Sequence, residues 1–297
     1  MELLDGKFLA KTIKAELKEK VAEYKAKGWR TPHLCAILVG EDGASQTYVA
    51  SKARDCDELG MESSVLRFPS YISENELLGE IEKVNINKQI DGLIVQMPVP
   101  EQINPMNVMN HIDASKDVDG FHPVNVGKMF KGIDTFLPAT PYGIMMMLER
   151  YKVETSGKHC VVIGRSDIVG KPMAALLMQN TNPGNCTVTV CHSRTTNLKE
   201  LCLQADIIVA ALGRPEFLKA NMVKEGAVII DVGITRVEAD NARGYVIRGD
   251  VAFDEVAPKA SFITPVPGGV GLMTRIGLLQ NTLKAYEWHM AAETRQF

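Results

Sequence analysis

Three side chains in one short stretch, Ser45, Tyr48 and Lys52, place a hydroxyl, a phenol and an amine at helical spacing. On a helix, residues three and four positions apart share a face, so all three would point the same way. An amine beside an aromatic ring suits an active site, because desolvation lowers the pKa of a lysine and frees it for proton transfer. Taken alone, the pattern is common by chance, and a surface helix with an extended lysine explains it better.

Gln96 directly follows the apolar run 90–95, which predicts a buried strand of a parallel sheet. Ligands of such sheets lie outside the carboxyl ends of the strands. The helix with Tyr48 and Lys52 follows another predicted strand, 33–39. Gln96 could therefore form a hydrogen bond with Lys52 or with a ligand. A polar residue that only closes a strand before a proline-rich turn is an equally good interpretation.

Asp117 and Asp119 flank a valine and precede Gly120 in a stretch that does not resemble a core element. A carboxylate here could accept hydrogen bonds from the amino group of a heterocyclic ligand. A metal site is the weaker hypothesis, because the later positions of an EF-hand loop are missing. An Asx-turn, in which the aspartate binds nearby backbone, is the non-functional alternative.

A turn bounded by Gly164 and Gly170 joins a predicted strand at 159–163 to a predicted helix at 173–179. In such a turn, backbone amides and a helix N-terminus can bind the phosphates of a dinucleotide. The turn departs from Gly-x-Gly-x-x-Gly, since Ser166 stands at the second glycine position. Its context, with a strand before and a helix after, fits a cofactor-binding unit.

The end of the next predicted strand, 187–191, indicates which dinucleotide is bound. NAD-binding units usually carry an acidic residue there. This sequence has Ser193 and Arg194 instead, with Arg165 available from the preceding turn. A hydroxyl and a guanidinium suit a 2′-phosphate, so we predict NADP as the cofactor.

Three later loops could also approach a ligand. Predicted strands at 206–211 and 227–231 end in loops that contain Gly213 and Ile234, and these could reach a nicotinamide. The loop 264–271 holds two prolines and three glycines. This composition predicts a rigid loop whose backbone can come close to a ligand.

Predicted strands alternate with helices along the chain, which indicates an α/β protein with parallel sheets. The length of 297 residues favours about two domains. We expect an N-terminal α/β domain of residues 1–139 plus 272–297, and a Rossmann-like, doubly wound domain of residues 140–271 for NADP. The final helix, predicted at 273–290, would return to the first domain.

The net charge of −3 gives no reason to expect nucleic acid or an anionic membrane as a partner. No apolar run approaches the length of a membrane span, and the first residues lack the pattern of a signal peptide. We therefore expect a cytoplasmic enzyme. The six cysteines form no Cys-x-x-Cys pair and sit mostly in or beside apolar runs. This favours reduced, buried thiols over a metal site or disulfides.

Jointly, these stretches resemble the bifunctional methylenetetrahydrofolate dehydrogenase/methenyltetrahydrofolate cyclohydrolase family. The matching motifs occur in family order and cover essentially the whole chain. They are Ala44-Ser45-Gln46-Thr47-Tyr48-Val49-Ala50-Ser51-Lys52, Asp91-Gly92-Leu93-Ile94-Val95-Gln96-Met97-Pro98, Lys116-Asp117-Val118-Asp119-Gly120-Phe121-His122-Pro123, Gly164-Arg165-Ser166 with Ile168-Val169-Gly170-Lys171-Pro172, Asp231-Val232-Gly233-Ile234, and Thr264-Pro265-Val266-Pro267-Gly268-Gly269-Val270-Gly271.

The resemblance implies NADP-dependent oxidation of 5,10-methylenetetrahydrofolate and hydrolysis of the methenyl product to 10-formyltetrahydrofolate, within one-carbon metabolism and purine biosynthesis. It also implies a homodimer of two-domain subunits, each with an active-site cleft between the domains. Lys52 matches the central catalytic residue, Tyr48 the residue that stacks on the aminobenzoyl ring, and Gln96 the residue that positions Lys52. Asp119 matches the residue that holds the pterin.

The same resemblance supplies the full set of expected contacts. The expected substrate contacts are Ser45, Tyr48, Gln96, Asp119, Pro267, Gly268 and Gly269. The expected cofactor contacts are Gly164, Arg165, Ser166, Ser193 and Ile234. The chain departs from the family pattern in two places: Leu272 stands where the family generally has proline, and residues 182–185 lengthen the link before the strand at 187–191.

Two other interpretations compete with this one. Short-chain dehydrogenases also use a Tyr-x-x-x-Lys pair, but there the pair follows the glycine-rich turn, whereas here it precedes Gly164 by a whole domain. A folate- or nucleotide-binding module without activity is the non-enzymatic alternative. Loss of Lys52 or Asp119 would be typical of such a module, and both residues are present.

Overall fold

The computed structural model describes residues 1–241 and 244–294. Its α-helices, in chain order, are α1 (Gly6–Ala26), α2 (Gly43–Leu59), α3 (Glu74–Asn85), α4 (Pro105–His111), α5 (Pro123–Phe130), α6 (Ala139–Arg150), α7 (Gly170–Leu177), α8 (Leu198–Gln204), α9 (Phe253–Val256) and α10 (Val270–Thr294). Its strands are β1 (Glu2–Leu3), β2 (His33–Val39), β3 (Glu62–Phe68), β4 (Gly92–Val95), β5 (His159–Ile163), β6 (Thr187–Cys191), β7 (Ile207–Ala210), β8 (Val228–Asp231), β9 (Thr235–Glu238), β10 (Tyr245–Arg248) and β11 (Phe262–Ile263). Short 3₁₀ helices span Ala220–Met222 and Ala257–Lys259.

The described chain divides into two compact units. The first unit comprises residues 12–139 with 276–294, and the second comprises 1–11 with the described part of 140–275. This division differs from the predicted boundaries at residues 1–11 and 272–275. The first residues group with the second unit because β1 pairs in parallel with β11, with Glu2 opposite Phe262.

The first unit is built on a parallel sheet with the strand order β3–β2–β4 among the described residues. Strand β2 lies in the middle and is almost entirely apolar and buried, as expected for a parallel strand that is covered on both faces. Helix α3 packs Leu77 and Ile81 against Ile37 and Leu93 of the sheet. The parallel sheet that the sequence predicts is confirmed.

Helix α10 closes the first unit, as predicted. The side-chain amide of Asn281, on this helix, donates to the backbone oxygens of Val118 at 2.8 Å and Leu137 at 2.7 Å. The buried Tyr286 donates its hydroxyl to the backbone oxygen of Arg30 at 2.8 Å. The Asn281 bonds tie α10 to the segment that carries Asp119, and the Tyr286 bond ties it to the residues before β2.

The second unit contains a parallel sheet with the order β1–β11–β8–β7–β5–β6, together with an antiparallel β9–β10 hairpin, among the described residues. Apart from β1 at the edge, the chain builds the sheet from β5, adds β6 on one side and then continues with β7, β8 and β11 on the other. Such a reversal of strand order defines a doubly wound sheet and opens a crevice at the carboxyl ends of the strands where the order reverses. The predicted Rossmann-like fold is confirmed.

In residues 1–241 and 244–294, no helix is both long enough and apolar enough to cross a membrane.

All six cysteines are buried and unpaired with one another. Burial raises the pKa of every one of these thiols, to about 12 for Cys56 and Cys202 and to about 11 for Cys186. Because the thiolate is the reactive form, we expect iodoacetamide to label the native protein hardly at all at mildly alkaline pH, and to label every cysteine after denaturation. Intact-mass spectrometry measures this, and rapid labelling of the native protein would contradict it.

Candidate active site

Helix α2 positions the residues that the sequence analysis singles out first. It begins at Gly43, because Asp42 caps it by accepting a hydrogen bond from the backbone N–H of Ser45 at 2.7 Å. It ends at Gly60, whose φ of 75° is the left-handed conformation that favours glycine after a helix. The functional side chains therefore lie on a helix that is defined at both ends.

The three side chains of the predicted face differ in their exposure. Tyr48 is 46% exposed, Lys52 is half-buried, and Ser45 is only 3% exposed. The phenol ring of Tyr48 is thus available to a ligand, whereas Ser45 packs into the protein. The predicted substrate contact of Ser45 stays a prediction.

Lys52 and Gln96 come together, as one of the two interpretations of Gln96 expected. The Nζ atom of Lys52 donates to Oε1 of Gln96 at 3.3 Å. Gln96 is oriented in turn, because its Nε2 atom donates to the backbone oxygen of Met97 at 2.8 Å. A neutral amide oxygen accepts a hydrogen bond from either an ammonium or an amine. Gln96 can therefore orient Lys52 through a hydrogen bond in either protonation state of the lysine.

Asp119 lies near Lys52 on the same unit. Its half-buried position raises the pKa of the Asp119 carboxyl through desolvation, and the positive charge of Lys52 opposes this shift. An amine and a carboxyl are thus close enough to act on each other. A carboxyl that is partly desolvated can bind an amino-substituted ring strongly, because little water has to be removed first.

Asp117 has a different role from Asp119. It is buried and accepts hydrogen bonds from the backbone N–H groups of Phe121 at 3.2 Å and His122 at 2.8 Å, and from Nδ2 of Asn125 at 2.9 Å. Burial raises the pKa of Asp117 to about 6, in spite of these bonds. Asp117 therefore binds nearby backbone, although its bonds reach four and five residues ahead and not the two of an Asx-turn. The segment that these bonds hold carries Asp119.

In the second unit, a cavity of about 300 Å³ opens at the carboxyl ends of the adjacent strands β7, β5 and β6. It brings together three of the predicted cofactor residues, Gly164, Arg165 and Ser193. The residues that line it are Ile163, Gly164, Arg165, His192, Ser193, Leu198, Ala211, Leu212, Arg214 and Phe217. The position is the one where doubly wound sheets bind their ligands.

Gly164 and Gly170 show why the turn after β5 needs glycine. Gly164 has a φ of +132°, and an added Cβ atom would lie 2.2 Å from the backbone oxygen of Ala211. At Gly170 an added Cβ would lie 2.3 Å from the backbone oxygen of Gly164. The chain thus folds tightly enough here for its backbone to reach a phosphate group.

Ser166, which replaces the second glycine of the usual motif, has a local function. Its hydroxyl accepts hydrogen bonds from the backbone N–H groups of Val169 at 3.2 Å and Gly170 at 3.3 Å, where helix α7 begins. Ser166, Ile234 and Arg194 do not line the cavity. Cofactor contacts of Ser166 and Ile234 stay predictions.

Arg214 and Phe217 line the same cavity but were not predicted from the sequence. The Cζ atom of Arg214 lies 4.9 Å from the centroid of the Phe217 ring, in cation–π geometry. The only sequence signal was the predicted loop around Gly213. Which way that loop faces depends on the order of the strands, with β7 next to β5.

The loop 264–271 packs tightly against the start of α1. The backbone N–H of Lys7 donates to the backbone oxygen of Gly268 at 3.0 Å. A Cβ atom added to Gly6 would lie 2.1 Å from the backbone oxygen of Gly269. Pro267 is exposed and lines a separate cavity of about 660 Å³ beside the β9–β10 hairpin. The predicted rigidity of the loop fits these contacts, and its predicted substrate contacts stay predictions.

Among residues 1–241 and 244–294, no group of three or more His, Cys, Asp or Glu side chains is arranged to hold a metal ion.

Together, the doubly wound sheet with its glycine turn and the separate α/β unit with its amine, amide and carboxyl place the chain among two-domain, dinucleotide-dependent enzymes. Comparison with known families narrows this class. Residues 4–119 match the family model described as tetrahydrofolate dehydrogenase/cyclohydrolase, catalytic domain, and residues 138–290 match that of the NAD(P)-binding domain. The chain therefore belongs to the tetrahydrofolate dehydrogenase/cyclohydrolase family.

Individual members of the family match this chain along almost their whole length. The chain is 57% identical over 286 residues to the bifunctional protein FolD of Cytophaga hutchinsonii, covering 96% of this chain and 99% of that protein. It is similar to the crystal structure of FolD from Campylobacter jejuni, with a TM-score of 0.91 and 48% identity over 97% of this chain and 99% of that chain. The FolD structure from Trypanosoma brucei, complexed with NADP cofactor and inhibitor, has a TM-score of 0.89 at 36% identity over 95% and 96% of the two chains. The predictions of the family, of an enzyme and of an NADP-type cofactor are confirmed at this level.

Proposed function

We propose that the chain is an NADP-dependent methylenetetrahydrofolate dehydrogenase and methenyltetrahydrofolate cyclohydrolase in which Lys52 transfers the proton of the hydrolytic step. The observation that carries the proposal is the hydrogen bond from Lys52 to Gln96, beside the carboxyl of Asp119. These three groups lie in the unit that includes most of the match to the family's catalytic domain.

The two reactions share one bound folate. Bound NADP⁺ supplies the acceptor for the hydride that leaves the one-carbon bridge of 5,10-methylenetetrahydrofolate, and the folate becomes the methenyl cation. Water then adds to the cationic carbon, one carbon–nitrogen bond of the ring breaks, and 10-formyltetrahydrofolate and a proton are released. The protein has to hold the folate through both steps and to accept that proton.

Each side chain of the first unit has a part in this scheme. The exposed ring of Tyr48 stacks on the aminobenzoyl group, and the Asp119 carboxyl binds the amino-substituted pterin. Lys52 takes the proton from the attacking water as a general base. Gln96 holds Lys52 in place, because its neutral amide oxygen accepts the hydrogen bond from Nζ.

In the second unit, the tight turn at Gly164 fits a phosphate-binding backbone, and Arg165 and Ser193 line the same cavity. A guanidinium and a hydroxyl match the 2′-phosphate that distinguishes NADP from NAD. We also propose a homodimer, and a supply of formyl groups to purine biosynthesis, on the strength of the family resemblance. The predicted cleft between the domains stays a prediction.

One spectroscopic assay tests the proposed function. The purified protein is mixed with methylenetetrahydrofolate and NADP⁺, and the absorbance of the methenyl product is followed as it rises and then decays. A rise shows the dehydrogenase, and a decay faster than in buffer alone shows the cyclohydrolase. A protein that binds the folate and NADP⁺ but gives neither signal would be the inactive binding module instead.

Arg165→Ala is expected to weaken NADP⁺ far more than NAD⁺. A hydrogen bond to a charged group contributes about 1.5–3 kcal/mol, so the KM for NADP⁺ should rise by about tenfold to a hundredfold. The KM for NAD⁺ should change little, because NAD⁺ lacks the 2′-phosphate. Steady-state kinetics with both cofactors measures this difference.

Arg150→Ala is the matched control, because Arg150 is also exposed and lies in the second unit but does not line the cavity. It should leave both KM values close to those of the wild type. Equal losses for NADP⁺ and NAD⁺ in Arg165→Ala would remove Arg165 from the 2′-phosphate site.

A further inference from the structure

A buried carboxylate anchors the loop that follows strand β7. The Oδ2 atom of Asp250 accepts hydrogen bonds from the backbone N–H groups of Leu212 at 2.7 Å and Gly213 at 2.9 Å. Asp250 is 0% exposed, and its other oxygen, Oδ1, has no hydrogen-bond partner among the described residues. Both anchoring bonds thus converge on a single buried oxygen.

Residues 249 and 250 also hold the far end of this loop, residues 211–218. The backbone N–H of Glu216 donates to the backbone oxygen of Gly249 at 2.8 Å, and that of Leu218 donates to the backbone oxygen of Asp250 at 2.9 Å. Within the loop, Gly213 and Glu216 have φ values of 66° and 53°. The conformation of the loop is therefore fixed by its hydrogen bonds to Gly249 and Asp250, and not by the conformational preferences of its own residues.

Asp250 is itself held by a second buried carboxylate, Asp231. The backbone N–H groups of Asp250 and Val251 donate to the two oxygens of Asp231 at 2.8 Å and 2.9 Å. A Cβ atom on Gly249 would lie 1.9 Å from Asp231, so glycine is required at this position. The anchor of the loop is therefore rigid.

This loop presents Arg214 and Phe217 to the cavity of the second unit. The guanidinium of Arg214 lies over the Phe217 ring, and Leu198 and Leu212 add apolar surface nearby. A planar cation that is backed by an aromatic ring is suited to stack on a flat, electron-rich heterocycle. At about 300 Å³, the cavity lies at the lower limit for ligand pockets, so it suits one part of a dinucleotide.

We propose that Arg214 is a further cofactor-contacting residue, whose guanidinium stacks on the adenine ring, and that Asp250 is the positioning residue that holds Arg214 there. This inference rests on the proposed function, since it places the adenosine half of NADP in the cavity. It separates two roles within one cavity: Arg165 reads the 2′-phosphate, and Arg214 binds the base that NADP and NAD have in common.

The test of Arg214 uses two fragments of the cofactor, 2′,5′-ADP and 5′-AMP, with the dissociation constants measured by titration calorimetry. Arg214→Ala should weaken both fragments by the same factor, about fivefold, because both contain adenine. Arg214→Lys should recover only part of this loss, since an ammonium keeps the charge but has no plane to stack. Arg165→Ala should weaken only 2′,5′-ADP.

Three results would overturn the inference: unchanged binding in Arg214→Ala, a loss confined to 2′,5′-ADP, or full recovery in Arg214→Lys. The wild type separates these from a failure of the proposed function. If the wild type binds both fragments, the cofactor assignment of the cavity stands, and the variants test only the role of Arg214. If it binds neither, the cofactor assignment of the cavity is refuted, and the inference with it.

The positioning role of Asp250 has its own measurement. Asp250→Ala should raise the KM for NADP⁺ about as much as Arg214→Ala does, with kcat little changed. Asp250→Asn should behave like the wild type, because one oxygen suffices for both anchoring bonds. The double variant with Arg214→Ala should be no worse than Arg214→Ala alone, since both changes remove one contact.

Additive losses in that double variant would show that Asp250 acts independently of Arg214, and would refute the positioning role. So would a loss in Asp250→Asn as large as that in Asp250→Ala. If Asp250→Ala does not fold, Asp250→Asn decides the matter alone: normal KM values support an uncharged anchor, and a raised KM contradicts it.

Discussion

Lys52→Met is expected to lower the rate of methenyltetrahydrofolate hydrolysis by about a hundredfold to ten-thousandfold, the range over which a positioned general base contributes. Methionine fills a similar space but can neither donate nor accept the proton. The loss should appear in kcat, because the proposed scheme assigns binding of the folate to Tyr48 and Asp119. Decay of the methenyl absorbance, started from purified methenyltetrahydrofolate, measures this step without the dehydrogenase.

Gln96→Ala is the companion variant for this prediction. It leaves the amine in place but removes the oxygen that accepts its hydrogen bond at 3.3 Å. We expect a smaller loss than in Lys52→Met, since a mobile lysine still reaches the productive position part of the time. Hydrolysis at the wild-type rate in Lys52→Met, with normal folding, would remove lysine from the mechanism.

Asp91→Ala is expected to destabilise the first unit by about 3–5 kcal/mol, which is the cost of breaking a buried ion pair from one side. Asp91 is 0% exposed and receives hydrogen bonds from the Arg30 guanidinium at 2.7 and 2.5 Å. The backbone N–H of His33 and the ring of His289 also contact it, at 2.9 and 3.0 Å. Without the carboxylate, Arg30 keeps its charge in a largely buried site. Urea unfolding measures the change.

Glu80→Ala is the matched control for the ion pair. Glu80 and Lys83 form a pair on the surface of α3, and such pairs contribute about 0–1 kcal/mol. A loss in Asp91→Ala no larger than that in Glu80→Ala would show that the buried pair adds little stability.

The contribution of Asp91 should also depend on pH in a defined direction. Burial alone would raise the pKa of Asp91, but the hydrogen bonds from Arg30 and His289 and the Arg30 charge outweigh it, so the pKa is lowered. Its stabilising contribution is therefore present above the pKa of an unfolded aspartate, about 3.9, and is lost as the pH falls through the lower, native value. The difference between the wild type and Asp91→Ala should shrink only under strongly acidic conditions.

The buried strands of both sheets could be predicted from the sequence because their signal is local. Strands β2, β5 and β6 have the predicted bounds, since each is a run of apolar or β-branched residues that ends at a glycine or polar turn. The capping box at Ser73 and Glu76 likewise marks the start of α3. In these segments, local propensity and tertiary packing favour the same structure.

Short elements were missed where the signal was weak or distant. Helices α4 and α5 have seven and eight residues, too few for a clear apolar period, although each begins with proline after a capping residue. Strand β1 has two residues and exists because it pairs with β11, far away in the sequence. No pattern within the strand itself predicts that partner.

The candidate site divides in the same way. The Lys52–Gln96 bond could be anticipated, because both residues lie near strand ends of one parallel sheet. The structural use of Asp117 could not, since residue spacing does not show which carboxylate meets the backbone N–H groups of residues 121 and 122. Arg214 was missed because its place in the cavity depends on the strand order.

Strand β1 has a consequence for how the protein tolerates change at its start. Glu2 and Leu4 donate backbone hydrogen bonds to Ser261 and Ile263 at 2.7 and 2.9 Å, and Leu4 is fully buried. Deleting these residues would make β11 an exposed edge strand with unpaired backbone groups, and would leave an apolar cavity where Leu4 packs. Exposed edge strands pair with strands of neighbouring molecules. A protein that lacks residues 2–4 should therefore aggregate during expression, although the proposed active-site residues are all present.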